Sequence, residues 1–275
     1  MDQIEKIGNS VLQHGKFNDR IYLLKYNETG NSDLLFRIDE LALKRGYTKI
    51  IAKIPASAQA VFLMNGYMQE ACIPSFFDGK EDAFFMAKYI DSSRSVINNE
   101  SLSVFARLFS VPANSKKETR PAKFDFRIAD KSNIEEMAEV YRQVFETYPF
   151  PITNAAYLES TMDEGSVVYF GVWDREKLVG LSSSEMDIKN RNAEMTDFAV
   201  LPEYQGQKLA LFLLEMMENE MKMKQFKTLY TIARLESPGM NRTFINCGYR
   251  YSGLLKNNTN ISGQIESMNV YYKNI

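Results

Sequence analysis

Apolar and polar positions along residues 123–275 follow a readable order. Residues 126–129 read as a strand. Asp130-Lys-Ser-Asn-Ile-Glu-Glu is a helix start signal and predicts a helix to about residue 146. A second short helix is expected near 154–162, then three successive strands at 166–172, 177–186 and 193–200 with turns between them. An amphipathic helix over 209–223 comes next, a strand over 228–233, a short helix near 239–246, and strands at 249–254 and 266–272. The predicted order is β-α-α-β-β-β-α-β-α-β-β.

The first part of the chain carries a fainter version of the end of that series. A helix over 34–45, a strand over 49–54, Phe62-x-x-x-Gly66-Tyr67 and an aromatic strand over 84–89 match helix 209–223, strand 228–233, Phe244-x-x-x-Gly248-Tyr249 and the strand near 268–273. In both copies glycine supplies a helix C-cap and the aromatic residue starts the next strand. Between residues 91 and 123 the periodicity weakens around a short helix-like piece at 102–109, which reads as an interdomain connection. The chain therefore divides into 1–115, a truncated domain with its linker, and 116–275, the domain with the full set of elements.

Composition narrows the chemistry. Apolar residues make up 45% and charged residues 25%, a soluble globular balance, and the net charge of −2 argues against nucleic acid or an anionic membrane as partner. No apolar run is long enough to span a bilayer and the first residues are too polar for a signal peptide, so a cytoplasmic location is expected. Cys72 and Cys247 suit a reducing compartment. The only histidine, His14, lies in a polar stretch and is expected at the surface, which sets aside histidine triads and histidine-based metal sites; no metal is expected. Any catalysis must rest on carboxylates, tyrosines, lysines and backbone dipoles.

The run from Glu194 to Ala210 is the most informative. It reads as a strand, a turn at Pro202, and a run of amides opening a helix. A helix N-terminus offers unpaired N–H groups and about half a positive charge, and so holds phosphate readily. This order resembles the acetyl-coenzyme A site of the GNAT N-acetyltransferases, whose pattern is Gln/Arg-x-x-Gly-x-Gly/Ala. Gln205 and Ala210 fill its outer positions, while Lys208 stands where the middle glycine is expected. Its Cβ crowds a closely approaching pyrophosphate and its ammonium adds a charge-assisted contact; which effect wins is open.

The resemblance implies an α/β (α+β) GNAT fold with a mixed, mostly antiparallel sheet, preceded by a smaller truncated GNAT-like domain lacking the phosphate turn. It implies acetyl-coenzyme A as co-substrate, held by Phe198, Ala199, Val200, Gln205, Gly206, Gln207, Lys208, Leu209 and Ala210, with Ser237 or Asn241 at the family's upstream asparagine. Glu194 is the expected base, since the Ala193-Glu194-Met195 opening resembles the Ala-Glu-Ile of histone-acetylating members. Alternation puts Glu194, Thr196, Phe198 and Val200 on one face, with Asp197 on the other unless a bulge intervenes. The family's usual acid, a tyrosine, is replaced by Phe244; Tyr249, Tyr204 and Tyr148 are unranked substitutes.

Phrases such as Glu146-Thr-Tyr-Pro-Phe-Pro-Ile152, Tyr230-Thr-Ile-Ala-Arg234, Asn257-Asn-Thr-Asn-Ile261 and Phe76-Phe-Asp-Gly79 resemble the beta-lysine N-acetyltransferases across nearly the whole chain. That resemblance implies transfer of acetyl to the ε-amine of beta-lysine, giving a compatible solute. A small amine partner needs carboxylates for its ammonium groups and cations or amides for its carboxylate. Glu146, Tyr148, Asp197, Arg234, Asn260 and Glu266 are the candidates, with 257–260 and 266–269 expected in tight polar loops. Other primary amines and a non-catalytic acyl-coenzyme A binder stay open, as does a homodimer.

Overall fold

Three strands that the periodicity did not announce begin the chain: β1 (Gln3–Ile7), β2 (Ser10–Gly15) and β3 (Arg20–Lys25). They belong to a computed structural model that describes residues 2–27, 33–110, 112–113 and 118–275. Helix α1 (Leu34–Arg45) follows, burying Leu34, Ile38 and Ala42 at i, i+4 spacing and ending at left-handed Gly46, φ 62°. Then come β4 (Lys49–Pro55), α2 (Gln59–Met64), β5 (Met68–Phe77), β6 (Glu81–Tyr89) and the connecting helix α3 (Asn99–Ser110).

The second half runs β7 (Phe124–Ile128), α4 (Ile134–Val144), α5 (Ala155–Asp163), β8 (Val167–Asp174), β9 (Lys177–Asp187), β10 (Asn192–Val200), α6 (Leu209–Met223), β11 (Thr228–Arg234), α7 (Pro238–Asn246), β12 (Arg250–Ile261) and β13 (Gln264–Asn274). The predicted order is present throughout, and α6 has the predicted ends. β12 is longer than expected, so residues 257–260 stand in a strand and not a loop, while Glu266 lies in β13, as the strand expected over 266–272 has it and the loop reading of 266–269 does not. The polar composition suggested loops, yet the carbonyls of Asn257 and Asn258 find partners in the first half of the chain.

All strands join one 13-stranded sheet in the order β1-β2-β3-β4-β6-β5-β12-β13-β11-β10-β9-β8-β7. Outward from the β5/β12 junction the halves repeat one another. The only parallel pairs among the described strands are β3·β4 and β10·β11, at equivalent places. The internal repeat thus extends beyond the helix-strand-strand echo to include β1–β3. The boundary expected between 115 and 116 lies outside the described residues, as do residues 28–32 between β3 and α1, where a second phosphate turn would stand.

The halves meet by close backbone approach at Gly253, paired with Ala71. A Cβ on Gly253 would lie 2.1 Å from the Glu70 carbonyl oxygen. Beyond it β12 bulges between Leu255 and Thr259, leaving carbonyls without strand partners. Buried cations of the first half fill those positions. Lys49 Nζ donates to the Lys256 carbonyl at 2.7 Å, Arg94 Nη2 to that of Asn257 at 2.7 Å, and Arg20 Nη1 to that of Asn258 at 2.5 Å. Beside this polar seam, Tyr22, Ile51, Phe76 and Phe85 pack with Tyr230, Leu255, Met268 and Val270 in one apolar cluster. His14, expected at the surface, is buried, its Nδ1 3.0 Å from the Tyr47 hydroxyl.

Candidate active site

The site begins where two parallel strands part. β10 and β11 pair only through Asn192/Thr228, Ala193/Leu229 and Glu194/Tyr230, then diverge. β10 keeps its other neighbour, β9, through Val200, with an irregularity between Thr196 and Ala199 where Asp197 takes φ 56°. That bulge is the exception the alternation allowed for: it turns Asp197 toward the face of Thr196, where it accepts from Ser183 Oγ and the Tyr148 hydroxyl, each at 2.5 Å. Ser182, on the opposite face of β9, meets Met217 of α6, so α6 covers the other side of the sheet.

A cavity of about 620 Å³ opens between the diverging strands. On the β10 side it is lined by Thr196, Asp197, Phe198 and Val200, and on the β11 side by residues 231–234. Gln205, Gly206, Lys208, Leu209 and Ala210 form its rim at the start of α6, and Ser237, Met240 and Phe244 the wall at α7. Gly206 and Lys208 both have positive φ, 76° and 61°, which turns the chain into the helix. No side-chain hydrogen bond caps Lys208, so the first amides of α6 face the rim. The Lys208 ammonium is salt-bridged to Glu118.

Most of the residues proposed from sequence converge here, with exceptions. Ala199 is buried on the far face, and Gln207 and Glu194 are outside the lining, Glu194 standing two residues before Thr196 on β10. Asn241 is fully buried: its amide donates to the Arg234 and Ser237 carbonyls at 2.8 and 2.7 Å, and its oxygen accepts from Asn269 and the Tyr271 hydroxyl. It docks α7 on the sheet, and Ser237 alone of that pair lines the cavity. Tyr148 and Arg234 line it as well, and Glu266 grips Arg234 from behind with two bonds of 3.0 and 2.7 Å. Glu146 lines a neighbouring hollow of about 220 Å³ that shares Tyr148 and includes Phe17 of the first half. Asn260 is apart from both, holding the Phe17 carbonyl at 2.9 Å in the seam. Of the substitute acids, Tyr148 and Tyr204 line the cavity and Tyr249 does not.

Glu194 stands at the vertex where the strands separate, directly opposite Glu185 of β9. Tyr230, its partner across the vertex, and the Ile232 amide lie on the β11 side of its carboxylate. Burial pushes it up to about 7, against the pull of Lys53, Tyr230 and the Ile232 amide, while the charge of Asp197 adds to the rise. Glu185 is raised well above the ordinary range, by burial first and then by Asp197 and Glu194. Asp197 is raised by burial and restrained by Ser183, Tyr148 and Thr196. A carboxyl poised near neutrality can take a proton from an ammonium that must lose one. Sequence reading missed Glu185, Tyr230 and Lys53. A lysine at an otherwise apolar strand position is a signal for Lys53; Glu185 has none, since only the strand register sets it against Glu194.

Residues 132–249 match the Acetyltransferase (GNAT) family. Over 275 residues the chain is 39% identical to the Beta-lysine N(6)-acetyltransferase of Methanococcus maripaludis, covering 99% of each chain. It is 31% identical over 245 residues to the Beta-lysine N(6)-acetyltransferase of Methanosarcina mazei, covering 81% of this chain and 90% of that one. It is 30% identical over 268 residues to the N-acetyltransferase YodP of Bacillus subtilis, covering 97% and 96%. A splayed parallel strand pair, an uncapped helix at its mouth and full-length relatives all agree: the chain belongs to the GNAT family and is an N-acetyltransferase.

Proposed function

We propose that this chain transfers acetyl from acetyl-coenzyme A to the ε-amine of beta-lysine, giving Nε-acetyl-beta-lysine as a cytoplasmic compatible solute. Support for the acceptor comes from the two relatives named for that reaction, one of them aligned end to end. The chemistry of the product is coherent with the role. Beta-lysine has two ammoniums and one carboxylate, and acetylation leaves a neutral zwitterion that accumulates without counterions.

The residues present fit acetyl-coenzyme A. A Cβ on Gly206 would meet nothing within 4 Å, so the rim is open to a phosphate beside the amides of 205–210. The cavity has the size of an ordinary small-molecule site. When bound, acetyl-coenzyme A supplies the activated acyl group. Phe198 to Val200 offer backbone donors on the diverging strand for a developing oxyanion. Glu194 receives the proton of the acceptor amine. An amine with a pKa near 10.4 is neutral in only about one molecule in a few thousand at pH 7, so a base is required. Asp197 and Tyr148 line the acceptor end, and Arg234 faces the acceptor's carboxylate.

The observation that carries this reading is the half-buried carboxylate at the vertex of a cleft whose mouth is an uncapped helix. A thiol-release assay with beta-lysine, lysine and spermidine tests it. The highest kcat/KM is expected for beta-lysine. Preference for another amine would reassign the acceptor, and binding of acetyl-coenzyme A without amine-dependent release would make the chain a non-catalytic binder.

A further inference from the structure

Lys53 comes from β4, in the half of the molecule that lacks the cleft, yet its ammonium enters the carboxylate cluster. It donates to the Tyr230 hydroxyl oxygen at 3.2 Å and lies 5.3 Å from the centre of that ring and 5.5 Å from that of Phe76. Tyr230 is buried and paired with Glu194 across the vertex. Because its oxygen accepts from Lys53, its proton is free to point toward Glu194, its partner on the neighbouring strand. A side chain of the first half is thereby joined to β11 beside the opening of β10.

We propose that Lys53 is a positioning residue for Glu194: bonded to the Tyr230 hydroxyl, on the strand partner of Glu194, it sets a cation and an oriented donor beside the carboxyl at the cleft vertex. The charged and titratable groups facing Glu194 are Lys53 of β4, Tyr22 of β3, Glu185 of β9, Asp197 of β10 and Tyr230 of β11. Lys53 also faces Glu185 and Asp187. Two of the groups around Glu194 are carboxyls and two are tyrosines, so Lys53 is the cation among them. A nearby opposite charge lowers a carboxyl pKa by about 1–3 units, and its removal leaves burial and Asp197 acting together. Through Lys53 the first half of the molecule reaches the vertex of the cleft in the second.

The inference rests on Glu194 as base, and two readouts separate it from that assignment. The first is the acid limb of kcat/KM against pH. Lys53→Met should move it up by about one pH unit or more, and Lys53→Arg should restore it toward wild type. The second needs no turnover: in protein labelled with carbon-13 at glutamate carboxyls, the resonance lost in Glu194→Gln should titrate at higher pH in Lys53→Met. Should Lys53→Met fold poorly, Tyr230→Phe keeps the ring and should shift the same resonance upward. An unmoved Glu194 titration in either variant overturns the proposal, as does an arginine variant that behaves like the methionine one. If the titration moves but wild-type protein acetylates no amine, the functional reading fails and the Lys53 linkage stands.

Discussion

Glu194 joins opposing effects in one side chain: burial raises it, while Lys53, Tyr230 and the Ile232 amide hold it near 7. Glu194→Gln should retain acetyl-coenzyme A affinity by titration and slow acetylation by about 10²–10⁴-fold, with the deficit shrinking at high pH as the free amine loses its own proton. A wild-type rate at pH 7 would move the role to Asp197 or a water chain. Stability gives an independent reading. The folded carboxyl binds its proton more tightly than the unfolded one, whose ordinary value is 4.5, so folding stability falls as pH rises from there to about 7 and is level above. Glu194→Gln should therefore melt higher than wild type above pH 7, and the gain should vanish below the unfolded value. At Lys208 the backbone is left-handed, a conformation that glycine adopts without cost and a side chain does not. Lys208→Gly should raise stability by about 0.5–1 kcal/mol in chemical denaturation, since a side chain at φ 61° is strained.

Elements were the most legible level of this protein. Helix α6 was visible because Leu209, Phe212, Leu213, Met217 and Met221 recur at the helical period, and the turn before it because proline and glycine punctuate it. Gly206→Pro should abolish acetyl-coenzyme A binding by removing an amide and an accessible positive φ at the rim, read by titration calorimetry. The polar strands were less legible. Residues 257–260 resemble loop composition, yet the carbonyls of Lys256, Asn257 and Asn258 accept from Lys49, Arg94 and Arg20, and the Asn260 amide donates to the Asn18 side chain, all far away in sequence. Asn241 was misplaced for a related reason. Its four hydrogen bonds reach α7's own turn and β13, and Asn241→Ala should cost about 3 kcal/mol or more in denaturation by orphaning buried partners, with the coenzyme rim intact.

At the scale of the molecule, two related half-sheets share one hydrogen-bonded array, and the junction depends on a position without a side chain. Gly253→Ala drives a methyl group into the Glu70 carbonyl and the Ala71 Cα, both backbone, so the strands cannot yield cheaply. A loss of about 3 kcal/mol or more is expected, with activity falling alongside as Lys53 leaves the vertex. A wild-type melting curve in that variant would show the junction to be looser than its geometry. Sequence by itself determined what is local: the order of elements over residues 123–275, the turn that presents amides at α6, and the acidic opening of β10, because periodicity and turn chemistry act over a few residues. Only the tertiary structure decided that Glu185 faces Glu194, that a bulge turns Asp197 into the cavity, and that a lysine from the other half reaches the Tyr230 hydroxyl across from Glu194. Register and cross-sheet packing join residues up to hundreds of positions apart, and no local pattern encodes which strands will lie side by side.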